Sequence, residues 1–473
     1  MRRSPWATLT VLALAQFIVV LDVTIVNVAL PHIQTDLKFS ADGLQWVISA
    51  YTLLFGGFLL LGGRAADLLG SRRVFVVGLG LFGITSLVAG LATSPGELIA
   101  ARAVQGLGGA LMSPAALSIL TVTFPHGRER NIAMGVWGGL AGLGGTLGVV
   151  AGGLLVDSLS WRWVFFVNVP IVVALVIVAP IFIRHIAPHT GSGFDALGAL
   201  LSTAGLLAVV YGVVWAEPAG WGSAEVLTCL LVGIALLVVF IVVEARSKAP
   251  LVPLRLFRSR ALSTASGALA LNGAAFLTMF FLTAIYLQEV RHASALKTGM
   301  QVLPMGAAAI LAAVLTTQLV HRLGTRIVQL GGAVLSVVSL FLLAQANADS
   351  GYATHLLPGL ILFGAGIIVL GVPAQIAAVV DVEHREAGAA SGVVTAFYQV
   401  GGALGLALAT TLSISRTNAA LAHGASQQQA LVEGFHRGLI VAAVFAIVNV
   451  LVTVASPKLA PSAEQIAEAT ATA

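Results

Sequence analysis

The chain has 473 residues, of which 58% are hydrophobic and 9% charged, against roughly 25% charged in an ordinary soluble domain. A mean hydropathy of +1.00 over the whole length excludes a soluble protein with a single anchor and points to an all-α polytopic membrane protein, since lipid demands internally satisfied backbone. The net charge of +5 does not indicate a nucleic-acid partner, because the basic residues are spread through short connections rather than gathered in one patch.

Arg2 and Arg3 precede an apolar run over 7–30. It is span-length and carries no small-residue cleavage site, so it reads as a retained helix rather than a signal peptide. Runs of about 20 residues follow at 44–63, 74–93, 97–122, 132–156, 163–183, 195–215, 225–244, 262–287, 298–320, 327–346, 354–378, 387–412 and 435–455. That gives fourteen expected spans. The single cysteine, Cys229, lies in one of them and excludes an internal disulfide or a multi-cysteine metal site.

Lys and Arg placement sets the expected orientation. With the N-terminus inside, seventeen basic residues fall in cytoplasmic segments and six in outer ones, leaving Arg102 within a span. This positive-inside bias, with an even number of spans, predicts both termini in the cytoplasm. A faint repeat is also present. Arg128, Glu129, Gly135, Gly144, Gly145 and Gly148 recur 257 residues later as Arg385, Glu386, Gly392, Gly401, Gly402 and Gly405. Gly70 and Arg72 recur as Gly324 and Arg326, 254 residues on. The expected organisation is a six-helix bundle over 1–190, two inserted helices over 191–250, a second six-helix bundle over 251–456 and a flexible cytoplasmic tail over 457–473. Duplicated halves around a midplane site are a transporter signature.

The first span carries Asp22 within Leu21-Asp22-Val23-Thr24-Ile25-Val26-Asn27-Val28-Ala29-Leu30-Pro31. An acid at that depth costs about 2.5–3.5 kcal/mol on insertion scales and by default marks an ion or proton pathway. The structural alternative is a satisfied polar residue that joins two helices. The second cytoplasmic connection reads Gly63-Arg64-Ala65-Ala66-Asp67-Leu68-Leu69-Gly70-Ser71-Arg72-Arg73. This string resembles the G-x-L-A-D-x-x-G-R-[KR] signature of the major facilitator superfamily. The resemblance implies that Asp67 and the arginines form a charge network that latches one conformation, with Gly63 and Gly70 shaping the turn. Asp67 ends a helix, where a carboxylate needs a cation against the helix dipole, and Arg72 or Arg73 would supply it. The echo near 317–326 has His321 in place of the acid, so the latch is expected on one side alone.

In the fourth span, Arg102, Gln105, Gly106 and Gly109 share one helix face. The segment is similar to the R-x-x-Q-G motif associated with proton-coupled superfamily members. Asp22 lies 15 residues from the inner end of its run, about 22 Å, and Arg102 lies 5 residues from an outer end, about 8 Å. In a core of about 30 Å both fall at similar height in the outer half. A nearby cation favours an ionised acid and desolvation favours the neutral form, so a site that alternates between the two can load and release a proton. A static ion pair is the alternative.

The fifth span is dense in glycine, with Gly144, Gly148 and Gly152 at four-residue spacing, a groove suited to close helix contact. With Gly153 it resembles the antiporter motif G-x-x-x-G-P-x-x-G-G, except that Val149 replaces the proline, so no proline kink is expected. Trp161-Arg162-Trp163-Val164-Phe165-Phe166-Val167-Asn168-Val169-Pro170 resembles the W-R-W-x-F-x-x-N-x-P entry typical of the fourteen-span drug:proton antiporter branch. Asn27, Gln105, Asn168, Asn272, Tyr398 and Gln399 are polar or amphipathic residues in or near spans and are candidates to line a cavity, each with interhelical hydrogen bonding as its alternative.

No G-x-x-x-x-G-K-[ST], G-x-S-x-G or H-E-x-x-H occurs. No enzymatic activity, metal or cofactor is therefore expected, and the energy source is expected to be a proton gradient. The resemblance implies a major facilitator fold of two six-helix bundles plus two inserted central helices. It also implies a monomeric multidrug efflux antiporter of the bacterial cytoplasmic membrane, exchanging protons for small lipophilic compounds. Two alternatives remain open: a proton-coupled transporter of a metabolite or lipid on the same fold, and a non-transporting membrane sensor or assembly factor.

Overall fold

Each of the fourteen apolar runs lies on a helix, because a backbone in lipid must bond within its own segment. The computed structural model describes residues 4–124, 128–184, 195–247, 250, 254–380, 382 and 387–458. The long helices are α1 (Pro5–Leu37), α2 (Trp46–Leu69), α3 (Ser71–Leu91), α4 (Pro95–Thr123), α5 (Arg128–Ser158), α6 (Asn168–Phe182) and α7 (Ala196–Ala219). They continue as α8 (Ala224–Arg246), α9 (Arg260–Ile285), α10 (Ala295–Leu323), α11 (Thr325–Leu343), α12 (Leu357–Val380), α13 (Ala387–Ala422) and α14 (Gln427–Ala455). Among the described residues eleven helices are long and apolar enough to cross a membrane, and shorter apolar stretches mark α2, α5 and α7.

Helix ends depart from the apolar runs where local chemistry decides. α1 continues through Pro31 to Leu37 and stops at Lys38, whose φ of 56° is left-handed. Proline removes one backbone donor but does not by itself end a helix supported on both sides. α14 begins well before the run at 435 because Ser426 and Gln429 form a reciprocal capping box. The sixth run is divided into a turn at Trp163–Phe166 and the helix from Asn168. α5 runs unbroken past Val149.

The chain forms two compact units, one of 1–252 with 284–300 and one of 253–283 with 301–473. In the first, α5 lies along α1 through its glycines. A Cβ on Gly144 would fall 2.9 Å from the Phe17 carbonyl oxygen, one on Gly148 2.0 Å from Thr24 Oγ1, and one on Gly152 2.9 Å from the Ile25 carbonyl oxygen. Small residues permit this approach. α4 packs against α2 in the same way, with Gly106 facing the Tyr51 carbonyl oxygen at 2.3 Å from a built Cβ. The inserted pair α7 and α8 belongs to this unit, where Gly57 of α2 meets Thr203 of α7. So does the connection after α9. Gln288 Nε2 donates to the Val28 carbonyl at 3.0 Å, and Asp157 accepts from the Ala295 and Leu296 amides at 3.1 and 3.0 Å.

In the second unit, α13 meets α9 through Gly401 at the Ala270 carbonyl and Gly405 at Ala274. These glycines are the 257-residue echoes of Gly144 and Gly148, so the repeated pattern performs the same packing task in both units. Gly70 and Gly324 also match: they join α2 to α3 and α10 to α11 with φ of 92° and 78°, values that L side chains rarely adopt. The tail beyond 458, with Asp381, Glu383, Arg385 and Glu386, lies outside the described residues.

Candidate functional site

Asp22 sits midway along α1, between Leu21 and Thr24, which meet Gly148, and exposes no surface. Its Oδ2 accepts from Arg102 Nη1. Its Oδ1 accepts from Gln105 Nε2 at 2.9 Å and from Asn168 Nδ2 at 3.0 Å. Arg102 Nη1 also donates to Gln105 Oε1 at 2.7 Å, and Arg102 Nε donates to the Val47 carbonyl at 3.0 Å. The guanidinium lies 4.3 Å from the Tyr51 ring centroid and 5.8 Å from that of Phe165, within cation–π range. The helix-rise arithmetic that put Asp22 and Arg102 at one height is matched by this direct pair.

Ser86 of α3 closes the network. Its Oγ accepts from Gln105 Nε2 at 3.3 Å and Asn168 Nδ2 at 3.1 Å, and donates to the Phe165 carbonyl at 3.0 Å. Asp22, Ser86, Gln105 and Asn168 are fully buried and Arg102 is 1% exposed. One cation and one anion thus share a buried, polar node fed by α1, α2, α3, α4 and α6. All three side-chain partners of the carboxylate are donors, so the arrangement satisfies an ionised acid. In such surroundings a buried charge is tolerated when it is paired and hydrogen-bonded, and removal of one partner is costly.

The aromatic string before α6 positions part of this node. Trp161 Nε1 and Arg162 Nη1 both donate to Asp36 Oδ2, at 2.8 and 2.7 Å, and Arg162 Nη2 donates to the Ala92 carbonyl at 3.1 Å. Those bonds tie the turn to the ends of α1 and α3. They set Phe165 beneath Arg102 and Asn168 against Asp22. A membrane-interface belt accounts for the tryptophans alone, whereas the bonds give Asp36, Arg162 and Asn168 one structural task.

The other expected site residues fall elsewhere. Asn27 is buried on α1, where its Nδ2 reaches the Val23 carbonyl at 3.4 Å. In the second unit Asn272 Nδ2 donates to the Ile367 carbonyl at 3.3 Å, an interhelical bond. Tyr398 packs against the cluster of Leu256, Leu262, Leu269 and Val394, and Gln399 is half-buried on α13. Gly152 and Gly153 continue the α5 groove, Gly153 facing Leu296. At the α2–α3 turn, Gly63 lies 3.6 Å from Pro114 by its built Cβ, Gly70 holds its positive φ, Arg72 is half-buried and Arg73 is exposed. The Asp67 and His321 side chains lie outside the described residues. Ser86, Tyr51 and Val47 belong to the node without having been singled out in the sequence, and Phe165 entered there only as part of the aromatic string. Ser86 had one usable signal, a hydroxyl inside the apolar run 74–93.

The family model described as Major Facilitator Superfamily matches residues 12–406. The chain belongs to the major facilitator superfamily. This major facilitator protein is 40% identical over 451 residues to the puromycin resistance protein of Streptomyces alboniger, covering 95% of this chain and 90% of that one. It is 38% identical to the cephamycin export protein CmcT of Amycolatopsis lactamdurans, over 87% of this chain and 86% of that protein. A crystal structure of an auto-inhibited peptide transporter of the POT family superposes with a TM-score of 0.70 at 15% identity, covering 97% and 99% of the two chains. At that identity the likeness shows the fold.

Proposed function

We propose that this major facilitator protein exports small lipophilic or amphipathic compounds in exchange for protons, with Asp22 as the proton carrier. The observation that carries this reading is the buried Asp22–Arg102 node, a charge pair placed inside the apolar body of a bundle. Hydrophobic helix packing alone has no use for it, and an intramembrane acid is a functional residue by default. Relatives named for puromycin resistance and cephamycin export support toxic small molecules as the cargo class. The protein works as a multi-pass protein of the cytoplasmic membrane with both termini inside.

The geometry supplies a chemical cycle. With Asp22 ionised, Arg102, Gln105 and Asn168 all donate to it and the node is closed. A proton arriving on Oδ2 removes the negative charge and frees an Arg102 N–H, so the node relaxes. Deprotonation on the cytoplasmic side restores the closed form. Cargo moves outward during the part of the cycle that follows this deprotonation, so that proton and cargo cross in opposite directions. The glycine contacts of α5 on α1 flank Asp22 and transmit its rearrangement to the helix crossing, while the turn from Gly63 to Arg73 with Asp67 acts as a latch.

Everted vesicles test this directly. An imposed gradient, acidic inside, should drive a lipophilic dye or antibiotic into vesicles that contain the protein and not into control vesicles. No gradient-driven uptake of any member of a broad panel of such compounds, with the protein present and folded, would contradict the reading.

A further inference from the structure

Val47 and Tyr51 stand one turn apart on α2, so both face the same strip of α4. The Val47 carbonyl takes Arg102 Nε, and the Tyr51 ring lies beneath the guanidinium at 4.3 Å. Phe55 stacks on along the same helix, with centroids 5.9 Å apart and planes 11° from parallel. The phenol oxygen of Tyr51 sits at the rim of the ring that carries the guanidinium. It has no hydrogen-bond partner among the described residues, although Tyr51 is 1% exposed. A buried hydroxyl without a partner is costly, and a phenylalanine would offer the same flat face to the cation. Stacking therefore accounts for the ring and leaves the hydroxyl without a task in the closed node. Gly109, two turns along α4 from Arg102, faces this end of the ring: a Cβ built there lies 3.4 Å from the phenol oxygen. The Phe55 ring, 3.0 Å from the same position, packs on this flank of the hydroxyl.

We infer that the Tyr51 hydroxyl is a second acceptor for Arg102, which the guanidinium reaches by sliding across the ring once Asp22 has taken up a proton. The proton bonds to Oδ2, the Arg102 Nη1–H bond to Oδ2 is released, and that N–H is taken up by Tyr51 Oη. Arg102 keeps its charge throughout. Tyr51 is accordingly a positioning residue, touching neither the proton nor the cargo. The inference rests on the reading of Asp22 as proton carrier.

The groups that face Asp22 are few. Among the described residues Arg102 and the neutral Gln105 come from α4 and Tyr51 from α2, while α3 and α6 contribute the neutral Ser86 and Asn168. The α5 glycines Gly144, Gly148 and Gly152 meet Phe17, Thr24 and Ile25 of α1. Other described charges on these helices lie near helix ends: Arg64 on α2, Arg72 and Arg73 on α3, Glu129 on α5, Glu97 with Thr93, Asp36 with Arg162, and Asp157 with the Ala295 and Leu296 amides. A change in the pH profile on altering Tyr51 thus reports on the Asp22–Arg102 pair.

The decisive variant is Tyr51→Phe, which keeps the ring and removes the alternative acceptor. Proton loading becomes less favourable, so more acid is needed to drive it. The midpoint of gradient-driven exchange against pH should move down by about one unit, equivalent to about 1.4 kcal/mol. An infrared titration of the Asp22 carboxyl in purified protein should show the same displacement without any transport assay. The unfolding temperature should stay level or rise, because an unpaired buried hydroxyl has been removed. A wild-type midpoint in Tyr51→Phe overturns the inference. So does a lowered unfolding temperature, which would mean that the hydroxyl is already bonded in the resting protein. Asp22→Asn separates the two levels: if that variant still couples to protons, the reading of Asp22 falls. If it is uncoupled while Tyr51→Phe is unchanged, only the role of Tyr51 falls.

Discussion

Replacing Arg102 with methionine preserves most of the side-chain length and removes the cation from a node where Asp22 is fully buried. Two unit charges about 4 Å apart at an effective dielectric near 20 attract by about 4 kcal/mol. Breaking a buried pair by deleting one partner costs about 3–5 kcal/mol. Arg102→Met alone should therefore destabilise the protein by about 3–5 kcal/mol. Adding Asp22→Asn should return a large part of that loss, since the amide needs no counter-charge and Gln105 and Asn168 can still bond its oxygen. The expected coupling in a double-mutant cycle is about 2–3 kcal/mol, within the range for residues in contact. Denaturant unfolding of the four proteins in lipid-like micelles, followed by helical circular dichroism, measures it. Additivity to within about 0.5 kcal/mol would refute the claim that the two side chains share one desolvated charge balance.

Three further outcomes follow from packing and backbone geometry. Gly148→Val should abolish transport, because even its Cβ would lie 2.0 Å from Thr24 Oγ1 and 3.0 Å from the Leu21 carbonyl oxygen; Gly80→Ala, with open space around it, should keep full transport and gain up to about 1 kcal/mol. Gly70→Ala and Gly324→Ala should each lose about 1–3 kcal/mol through a backbone conformation reserved for glycine, measured by the same unfolding assay. Asn168→Ala removes one donor from Asp22 and one from Ser86, so it should cost about 1–3 kcal/mol and lower the rate of gradient-driven exchange without abolishing cargo binding, measured by radioligand binding beside vesicle uptake.

The membrane spans were legible because lipid imposes a minimum apolar length and leaves the helix as the local solution. The Asp22–Arg102 pair was legible for a related reason: helix rise is constant, so residue counts from opposite ends convert into depth. The glycine ladder at Gly144, Gly148 and Gly152 was legible as spacing, and the carbonyl oxygens of Phe17 and Ile25 show what that spacing accommodates. Other features depend on which helix lies beside which. Ser86 reads as an ordinary hydroxyl in a span until α4 and α6 both direct amides at it. Asp36, at the end of α1, belongs to no motif in the sequence, yet it holds Trp161 and Arg162 and thereby the turn that presents Asn168. Gln105 and Asn168, candidates for cavity lining, are both bonded to the carboxylate. The extension of α1 beyond Pro31 was also hidden, because a proline weighs against helix in isolation and is tolerated where neighbours support the backbone.

Asp22→Asn in proteoliposomes or everted vesicles is the most direct test of proton carriage. The substitution keeps the side-chain shape and an acceptor for Gln105 or Asn168 while preventing ionisation. Uptake driven by an imposed pH gradient should vanish, while exchange of labelled for unlabelled cargo without a gradient persists. Gradient-driven uptake at the wild-type rate in that variant would contradict the account.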